Sequence, residues 1–211
     1  MAVSNPPPLA DSYVIAIAGG SGSGKSTLAN ALVSELGSSF ATVLAIDAYY
    51  HDLAHLSLTE RERTNFDHPD ALDLALFEQH VLALKAGQAI QQPCYDFGTH
   101  CRQAQTTEII PRKWMVVEGI LVTATASLRA LYDQVIYVEA DRTVRWQRRL
   151  LRDQRDRGRY EASIARFWAR AEDTFMTQGS TASQYAHLIV SGEQALDANV
   201  RHIMKVICGS D

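Results

Sequence analysis

A glycine-rich loop between a predicted strand and a predicted helix constrains the fold of this chain more than any other feature. The loop runs from Gly19 to Thr27 and contains the pattern G-x-x-x-x-G-K-S. The residues before it, 13–18, are apolar and rich in β-branched side chains, as in a strand buried on both faces. Apolar residues recur at helical spacing through 26–36, and Gly37 supplies a stop. This context predicts a phosphate-binding loop in an α/β fold.

The residue types of this loop suit the phosphates of a nucleotide. Backbone N–H groups must turn inward to wrap a phosphate chain, and glycine permits this without a clash at Cβ. The following helix adds unpaired N–H groups and the positive end of its dipole. We expect Lys25 to reach the β- and γ-phosphates as a catalytic cation, and Ser26 to bind Mg²⁺. The predicted nucleotide contacts are Gly19, Gly20, Ser21, Gly22, Ser23, Gly24, Lys25, Ser26 and Thr27.

Further apolar segments predict the rest of one sheet and its covering helices. Strands separated by helices form right-handed crossovers, so we predict a three-layer α/β/α fold with a parallel five-stranded sheet. Residues 88–110 carry β-forming and turn residues, which predicts an inserted β-hairpin. Residues 1–12 contain three consecutive prolines and predict a flexible leader, which leaves 13–211 as one domain. The remaining predicted elements are strands at 42–46, 114–117, 134–139 and 186–190 and helices at 72–86 and 196–207.

Charge, hydrophobicity and cysteine content limit the classes of partner and the cellular compartment that we expect for this chain. Lys and Arg number 20 and Asp and Glu number 24, and the resulting net charge of −4 disfavours broad nucleic-acid binding. No apolar run has the length of a bilayer span, and the N-terminus does not have the form of a signal peptide. Three cysteines without a Cys-x-x-Cys spacing indicate reduced thiols. We therefore expect a cytoplasmic protein that binds neither nucleic acid nor membranes.

Two acidic residues directly follow predicted buried strands. Asp47 follows the strand at 42–46, and Glu118 follows the strand at 114–117. Ligands of open α/β sheets bind beyond the carboxyl ends of the strands, so both acids are expected near the phosphate loop. Glu118 is a candidate Mg²⁺ ligand, and Asp47 is a candidate both for Mg²⁺ binding and for abstracting or orienting a hydroxyl proton. The alternative is that either acid only caps a following helix.

Half of the positive charge of the chain lies in residues 142–170, which hold ten arginines. Arg149 and Arg152 share one face of a predicted helix, and Arg-Gly-Arg at 157–159 is a candidate hinge. Guanidinium groups on such a segment could close on a γ-phosphate and exclude water, so we predict a lid at about 142–160. The alternative is a solvated helix face, which we expect for Arg142, Arg145, Arg155, Arg166 and Arg170.

Taken together, these motifs resemble the uridine–cytidine kinase family of P-loop kinases over most of the chain, from about residue 13 to residue 207. The phosphate loop alone is generic. More specific are Asn-Phe-Asp-His-Pro-Asp-Ala at 65–71 and Tyr-Asp-Phe at 95–97. The other matching segments are 47–50, 93–102, 118–121, 148–153 and 157–159.

This resemblance implies phosphorylation of the 5′-hydroxyl of uridine, and also of cytidine, in pyrimidine salvage. It implies ATP as the donor, with GTP left open, together with Mg²⁺ and a homo-oligomer for which a tetramer is the candidate. Asp47 matches the catalytic acid of the family. The resemblance assigns the ribose to Asp67 and Arg149, the base to Tyr95 and His100, the pocket lining to Tyr50, Phe66 and Phe97, and the phosphates to Arg152, Arg157 and Arg159.

One departure from the family leaves the base preference open. Phe167-Trp168 stands where the family usually has Gln-Tyr, and the glutamine of the family helps to read the base. Two alternative functions are a related kinase for a phosphopentose or pantothenate, and a nucleotide-dependent switch without a product. The matches at Asp67 and His100 argue against the first, and the lack of an Asn-Lys-x-Asp segment argues against the second.

Overall fold

The computed structural model describes residues 12–158 and 160–209 and confirms the predicted three-layer α/β/α fold. The central sheet has the strand order β2-β5-β1-β6-β7, and all neighbouring strands are parallel. The leader predicted at 1–12 falls almost wholly outside the described residues. The sheet strands are β1 (Tyr13–Gly19), β2 (Ala41–Ala45), β5 (Trp114–Glu118), β6 (Gln134–Glu139) and β7 (Leu188–Ser191).

The central strand β1 separates two hydrophobic cores. Val14 and Ala16 belong to the core on one face of the sheet, and Ile15 and Ile17 belong to the core on the other, and all four are fully buried. Alternation of side chains along a strand places consecutive residues on opposite faces. A strand that is apolar at every position is therefore covered by helices on both sides, as the sequence predicted.

One face of the sheet is covered by α3 and α4, which come from the middle of the chain and contribute to the core that contains Val14. The other face is covered by α1 and α7, which come from opposite ends of the chain and contribute to the core that contains Ile15. Among the described residues, no helix combines the length and the apolar character needed to cross a bilayer. The helices are α1 (Lys25–Leu36), α2 (Leu58–Arg61), α3 (Leu74–Lys85), α4 (Ala126–Arg129), α5 (Arg142–Arg157), α6 (Glu161–Thr174) and α7 (Leu196–Cys208).

Several element boundaries differ from the prediction by one or two residues because local hydrogen bonds decide them. Strand β2 stops at Ala45, and a 3-10 turn over Ile46–Tyr49 then carries Asp47. Helix α3 begins at Leu74 because the Asp73 carboxylate accepts a hydrogen bond from the Leu76 backbone N–H at 3.1 Å.

The inserted hairpin consists of β3 (Ile90–Asp96) and β4 (Cys101–Ile109), which pair antiparallel. The side chain of Arg102 fastens this hairpin to the segment after β2. It donates hydrogen bonds to the carbonyl oxygens of Tyr50 and Tyr49 at 2.8 and 3.0 Å and forms an ion pair with Asp73 at 3.2 Å. Arg102 thus fixes the position of the hairpin relative to the turn that contains Asp47.

The arginine-rich segment forms two helices, α5 and α6, whose ranges are separated by residues 158–160. Helix α5 ends where Gly158 adopts φ +60°, a left-handed conformation that favours glycine. The solvated face expected for Arg145 is wrong, because Arg145 is only 5% exposed. Its guanidinium binds the buried Glu172 of α6 through two hydrogen bonds of 2.7 and 3.0 Å. Periodicity could not reveal this pair, since its members lie 27 residues apart.

Replacing Glu172 with alanine is expected to lower the free energy of unfolding by about 3–5 kcal/mol, because it leaves the Arg145 charge buried without its partner. Urea unfolding of the two proteins measures this difference. The matched control is Asp197→Ala, which breaks the exposed Asp197–Arg201 pair of 2.8 Å and should lower the free energy of unfolding by only about 1 kcal/mol or less. If both variants lost the same free energy of unfolding, burial would not be the reason for the effect of Glu172→Ala.

Candidate active site

One cavity, here called the central cavity, gathers residues from widely separated parts of the chain at the carboxyl edge of the sheet. It brings together the phosphate loop, the turn after β2, the 65–71 segment, the hairpin tip and helices α5 and α6. Its lining residues are Ser21, Lys25, Asp47, Tyr50, Phe66, Asp67, Tyr95, Phe97, His100, Ile120, Arg149, Arg152, Arg157 and Phe167.

The phosphate loop depends on its glycines for conformation and for space. Gly22 and Gly24 adopt φ +80° and +102°, values that residues with a Cβ rarely adopt. A Cβ at Gly20 would lie 2.6 Å from Nη1 of Arg145, and one at Gly22 would collide with the Arg145 carbonyl oxygen. Helix α5 therefore packs directly on the loop. Lys25 opens α1 and is 6% exposed.

Two further depressions adjoin the loop. A groove next to α5 is lined by loop residues and arginines, and a second cavity, here called the rear cavity, lies towards β7 and α7. Arg148 contributes to both, and its Nη1 donates hydrogen bonds to the carbonyl oxygens of Ser23 and Gly192 at 3.3 and 3.0 Å. The groove is lined by Gly22, Gly24, Lys25, Ser26, Thr27, Arg148, Arg152, Arg155 and Asp156. The rear cavity is lined by Gly24, Thr27, Leu28, Val138, Arg148, Gly192, Gln194, Leu196 and Asn199.

The three predicted Mg²⁺ ligands lie near one another beside Lys25. The Ser26 hydroxyl donates a hydrogen bond to Oε1 of Glu118 at 3.0 Å, and the charge of Asp47 acts on Glu118. The described residues include no group of three or more His, Cys, Asp or Glu side chains able to enclose a metal ion. This donor set nevertheless suits Mg²⁺, which proteins often hold through one or two carboxylates together with substrate phosphates.

Burial and neighbouring charges oppose each other at the acids of this site. Burial raises the pKa of Glu118, and Asp47 raises it further, while Lys25, the Ser26 hydrogen bond and Arg152 act in the opposite direction. Burial also raises the pKa of Asp67, and Arg149 provides the largest opposing effect. The nearby cations therefore offset only part of the effect of burial, and the pKa of both carboxyls remains above its ordinary value.

Asp67 is positioned by the turn in which it lies. The Asn65 side chain accepts a hydrogen bond from the Asp67 backbone N–H at 3.2 Å and donates one to the Thr174 hydroxyl at 2.7 Å. His68 then accepts a hydrogen bond from the Asp70 backbone N–H at 3.3 Å. The Asn-Phe-Asp-His-Pro-Asp segment thus orders its own turn and joins it to the end of α6.

Aromatic rings form a cluster in the wall of the central cavity. Tyr50 contacts Phe66, Tyr95 and Phe97, with ring centroids 5.3, 5.2 and 6.5 Å apart. The buried His100 stacks on Phe66 at 4.6 Å with planes only 13° apart. His100 lies in the turn of the hairpin and adopts φ +55°. This aromatic cluster suits a flat, conjugated group.

The predicted substrate-binding residues that the structure describes all line the central cavity, whereas of the predicted loop residues only Ser21 and Lys25 line it, and Glu118 does not. Arg149, Arg152 and Arg157 all line the central cavity, and Arg157 also lies over the Phe97 ring at 4.5 Å. Arg159 lies outside the described residues. Thr27 is exposed and lines the groove and the rear cavity rather than the central cavity.

Sequence reasoning did not find two residues of the cavity wall. Ile120 follows Glu118-Gly119, and Phe167 lies on α6, where its ring is 6.0 Å from the ring of His100. Phe167 was noticed only as a departure from the family pattern. Its contact with His100 could not be foreseen, since it requires α6 to fold back over the hairpin tip.

Comparisons with known proteins relate the chain to kinases. The sequence model of the Phosphoribulokinase / Uridine kinase family matches residues 14–197. A uridine kinase of Shewanella baltica is 40% identical over 182 residues, which cover 84% of this chain and 86% of that protein.

Two of the solved structures that share the fold do so at low sequence identity. Phosphoribulokinase from Rhodobacter spheroides has a TM-score of 0.64 at 13% identity and covers 86% of this chain and 70% of its own. D-glycerate 3-kinase from Cryptococcus neoformans has a TM-score of 0.63 at 15% identity and covers 92% and 90%.

Proposed function

This chain belongs to the Phosphoribulokinase / Uridine kinase family, and we propose that it transfers the γ-phosphoryl group of ATP to the 5′-hydroxyl of uridine, and also of cytidine. The product is the nucleoside monophosphate. The observation that carries this proposal is the composition of the central cavity, whose lining combines Lys25 and three arginines with a cluster of aromatic rings and the carboxylates of Asp47 and Asp67.

Different residues of the cavity suit different parts of the two substrates. Its cations, Lys25 and the arginines, suit the terminal phosphates of ATP, whose negative charge they balance. Its aromatic cluster suits a pyrimidine base rather than a second phosphate group, which argues against a phosphopentose as substrate. Asp67 and Arg149 both line the cavity and supply a carboxylate and a guanidinium group suited to the vicinal hydroxyls of ribose.

The proposed reaction is an in-line displacement at the γ-phosphorus. The 5′-oxygen of the nucleoside forms a bond to phosphorus, and the bond to the oxygen that bridges to the β-phosphate breaks, which releases ADP. Asp47 orients the 5′-hydroxyl and accepts its proton. Lys25 and Arg152 stabilise the charge on the transferred group and on the leaving oxygen. The arginines also exclude water, which would otherwise take the phosphoryl group.

Ser26 and Glu118 would hold Mg²⁺, with Asp47 as a further candidate ligand. When bound, Mg²⁺ neutralises part of the phosphate charge. The rear cavity is the proposed place for the base of the donor, because it adjoins the loop and includes apolar side chains of Leu28, Val138 and Leu196. The preference for ATP over GTP, the oligomeric state and the cytoplasmic location stay predictions.

The function is tested by measuring ADP release from ATP with and without a nucleoside, and by identifying the phosphorylated product. Uridine and cytidine should each stimulate ADP release and yield the 5′-monophosphate. Ribulose 5-phosphate and pantothenate serve as comparison substrates. A nucleotide switch would hydrolyse ATP slowly whatever was added, so ADP release that does not respond to any nucleoside contradicts the proposal.

The ribose contacts predict discrimination against deoxyribose. With 2′-deoxyuridine in place of uridine, kcat/KM should fall by about 10- to 100-fold, since the lost hydroxyl leaves a charged partner unsatisfied. Steady-state kinetics with both nucleosides measure the ratio. In Asp67→Asn the ratio should shrink towards one, whereas Asp70→Asn, whose side chain is 91% exposed, should preserve it. An undiminished ratio in Asp67→Asn would remove Asp67 from ribose recognition.

A further inference from the structure

Three arginines of the central cavity converge on one buried carboxylate. Arg152 donates two hydrogen bonds to Oδ1 of Asp153, from Nε at 2.9 Å and from Nη2 at 2.7 Å. Arg149 and Arg157 form ion pairs with Asp153 at 3.6 and 3.5 Å. The Asp153 side chain is completely buried, although the surrounding arginine side chains are 7 to 34% exposed.

The three arginines line the cavity, whereas Asp153 does not. Asp153 therefore stands behind them as a shared counter-ion. Without it, three guanidinium groups held side by side would repel one another in a region of low dielectric constant. One negative charge reduces this repulsion and leaves the group with a net positive charge towards the cavity.

The surroundings of Asp153 keep it ionised. Burial alone would raise the pKa of its carboxyl, but the charges of Arg157, Arg152 and Arg149 together hold the pKa below its ordinary value. A carboxylate in this state accepts hydrogen bonds and offers no proton for catalysis near neutral pH. Its effect on the reaction must therefore act through the arginines.

We propose that Asp153 is a positioning residue that holds Arg149, Arg152 and Arg157 as one unit, and thereby aligns the ribose-binding and phosphate-binding parts of the site. This proposal rests on the proposed function. Arg149 lines the central cavity together with Asp67, and Arg152 lines both the central cavity and the groove of the phosphate loop. Arg157 extends the unit to Phe97 at the hairpin. Displacing any of the three by about 1 Å would misalign the reacting atoms.

The chain offers a control on another helix. Asp197 of α7 accepts a hydrogen bond from Arg201 at 2.8 Å. Both side chains are 68% exposed, and neither lines the central cavity, the groove or the rear cavity. Asp153→Asn and Asp197→Asn thus remove the same charge from a pair with arginine, and only the first pair lies beside the cavity.

The test compares kcat, the KM for uridine and the Kd for ATP in the absence of uridine. Asp153→Asn should lower kcat by about a hundredfold, because the arginines lose their common anchor. Its Kd for ATP should change by less than about threefold, since the phosphate loop supplies most of that binding. Asp197→Asn should match the wild type in all three quantities. A merely structural defect would weaken ATP binding together with turnover.

A second variant covers the case in which Asp153→Asn does not fold. Asp153→Glu keeps the charge but moves it by one methylene, so kcat should fall by about tenfold with Kd for ATP unchanged. Wild-type kcat in Asp153→Asn, or in Asp153→Glu if the first variant does not fold, overturns the role of Asp153. If the wild-type protein itself phosphorylates no nucleoside, the proposed function is overturned instead. The two failures are therefore distinguishable.

Discussion

Replacing Asp47 with asparagine is expected to lower kcat by about a thousandfold while ATP still binds. Asparagine keeps the size of the side chain and can still contact the 5′-hydroxyl, but it cannot take up the proton. Asp47 lines the central cavity together with Lys25, so the loss falls on the transfer step rather than on the phosphate loop. Steady-state kinetics with uridine give kcat, and calorimetric titration with ATP gives Kd.

Two comparisons make the Asp47 result specific. Asp70→Asn removes an exposed carboxylate outside the cavity and should leave kcat unchanged. Rapid mixing of enzyme with ATP and uridine separates transfer from product release, and the first turnover of Asp47→Asn should be slowed as much as the later ones. Normal turnover in Asp47→Asn would exclude Asp47 from the mechanism.

Replacing Lys25 with methionine is expected to lower kcat by a similar factor, about a thousandfold, and also to weaken ATP binding. Lys25 is buried at the start of α1 and lines both the central cavity and the groove of the phosphate loop. Its charge is therefore well placed to act on the phosphates before and during transfer. Methionine retains much of the hydrocarbon stem and removes the charge.

The signature that separates the two substitutions is the Kd for ATP. Lys25→Met should raise this Kd by about tenfold or more, whereas Asp47→Asn should not raise it. Lys205→Met, at an exposed position on α7, controls for loss of one positive charge from the chain and should change neither quantity. Tight ATP binding and full turnover in Lys25→Met would contradict the assignment of the loop.

The fold was predictable from local patterns because both of its main determinants are local. Strand β1 is apolar throughout because its side chains point alternately to two faces of the sheet and both faces are buried. Glycines mark the loop before α1. The resemblance to a kinase family is likewise confirmed by the family match over 14–197. Boundaries were less predictable, since the start of α3 depends on the cap formed by Asp73.

The candidate site was predictable where a short sequence motif includes the functional side chain itself. Asp67 was identified through the segment around it, and Lys25 through the loop pattern. Neither Arg102 nor Phe167 could be given a role in this way. Arg102 acts on carbonyl oxygens 52 and 53 residues away, and Phe167 reaches His100 only because α6 folds over the hairpin.

The amino-acid sequence by itself determined the sheet, its covering helices and the phosphate loop, because hydrophobic periodicity and glycine conformation act between near neighbours. Tertiary structure alone decided which arginines face solvent, which face the cavity and which are buried. Arg145, Arg149 and Arg155 lie on one helix, yet Arg145 binds Glu172, Arg149 binds Asp153 beside the cavity, and Arg155 remains exposed. The partner of Arg145 comes from a distant helix, whereas Arg149 and Arg155 both pair with a carboxylate on their own helix, and only the packing around that helix leaves one of them buried and the other exposed. The spacing of arginines along the chain does not contain that information.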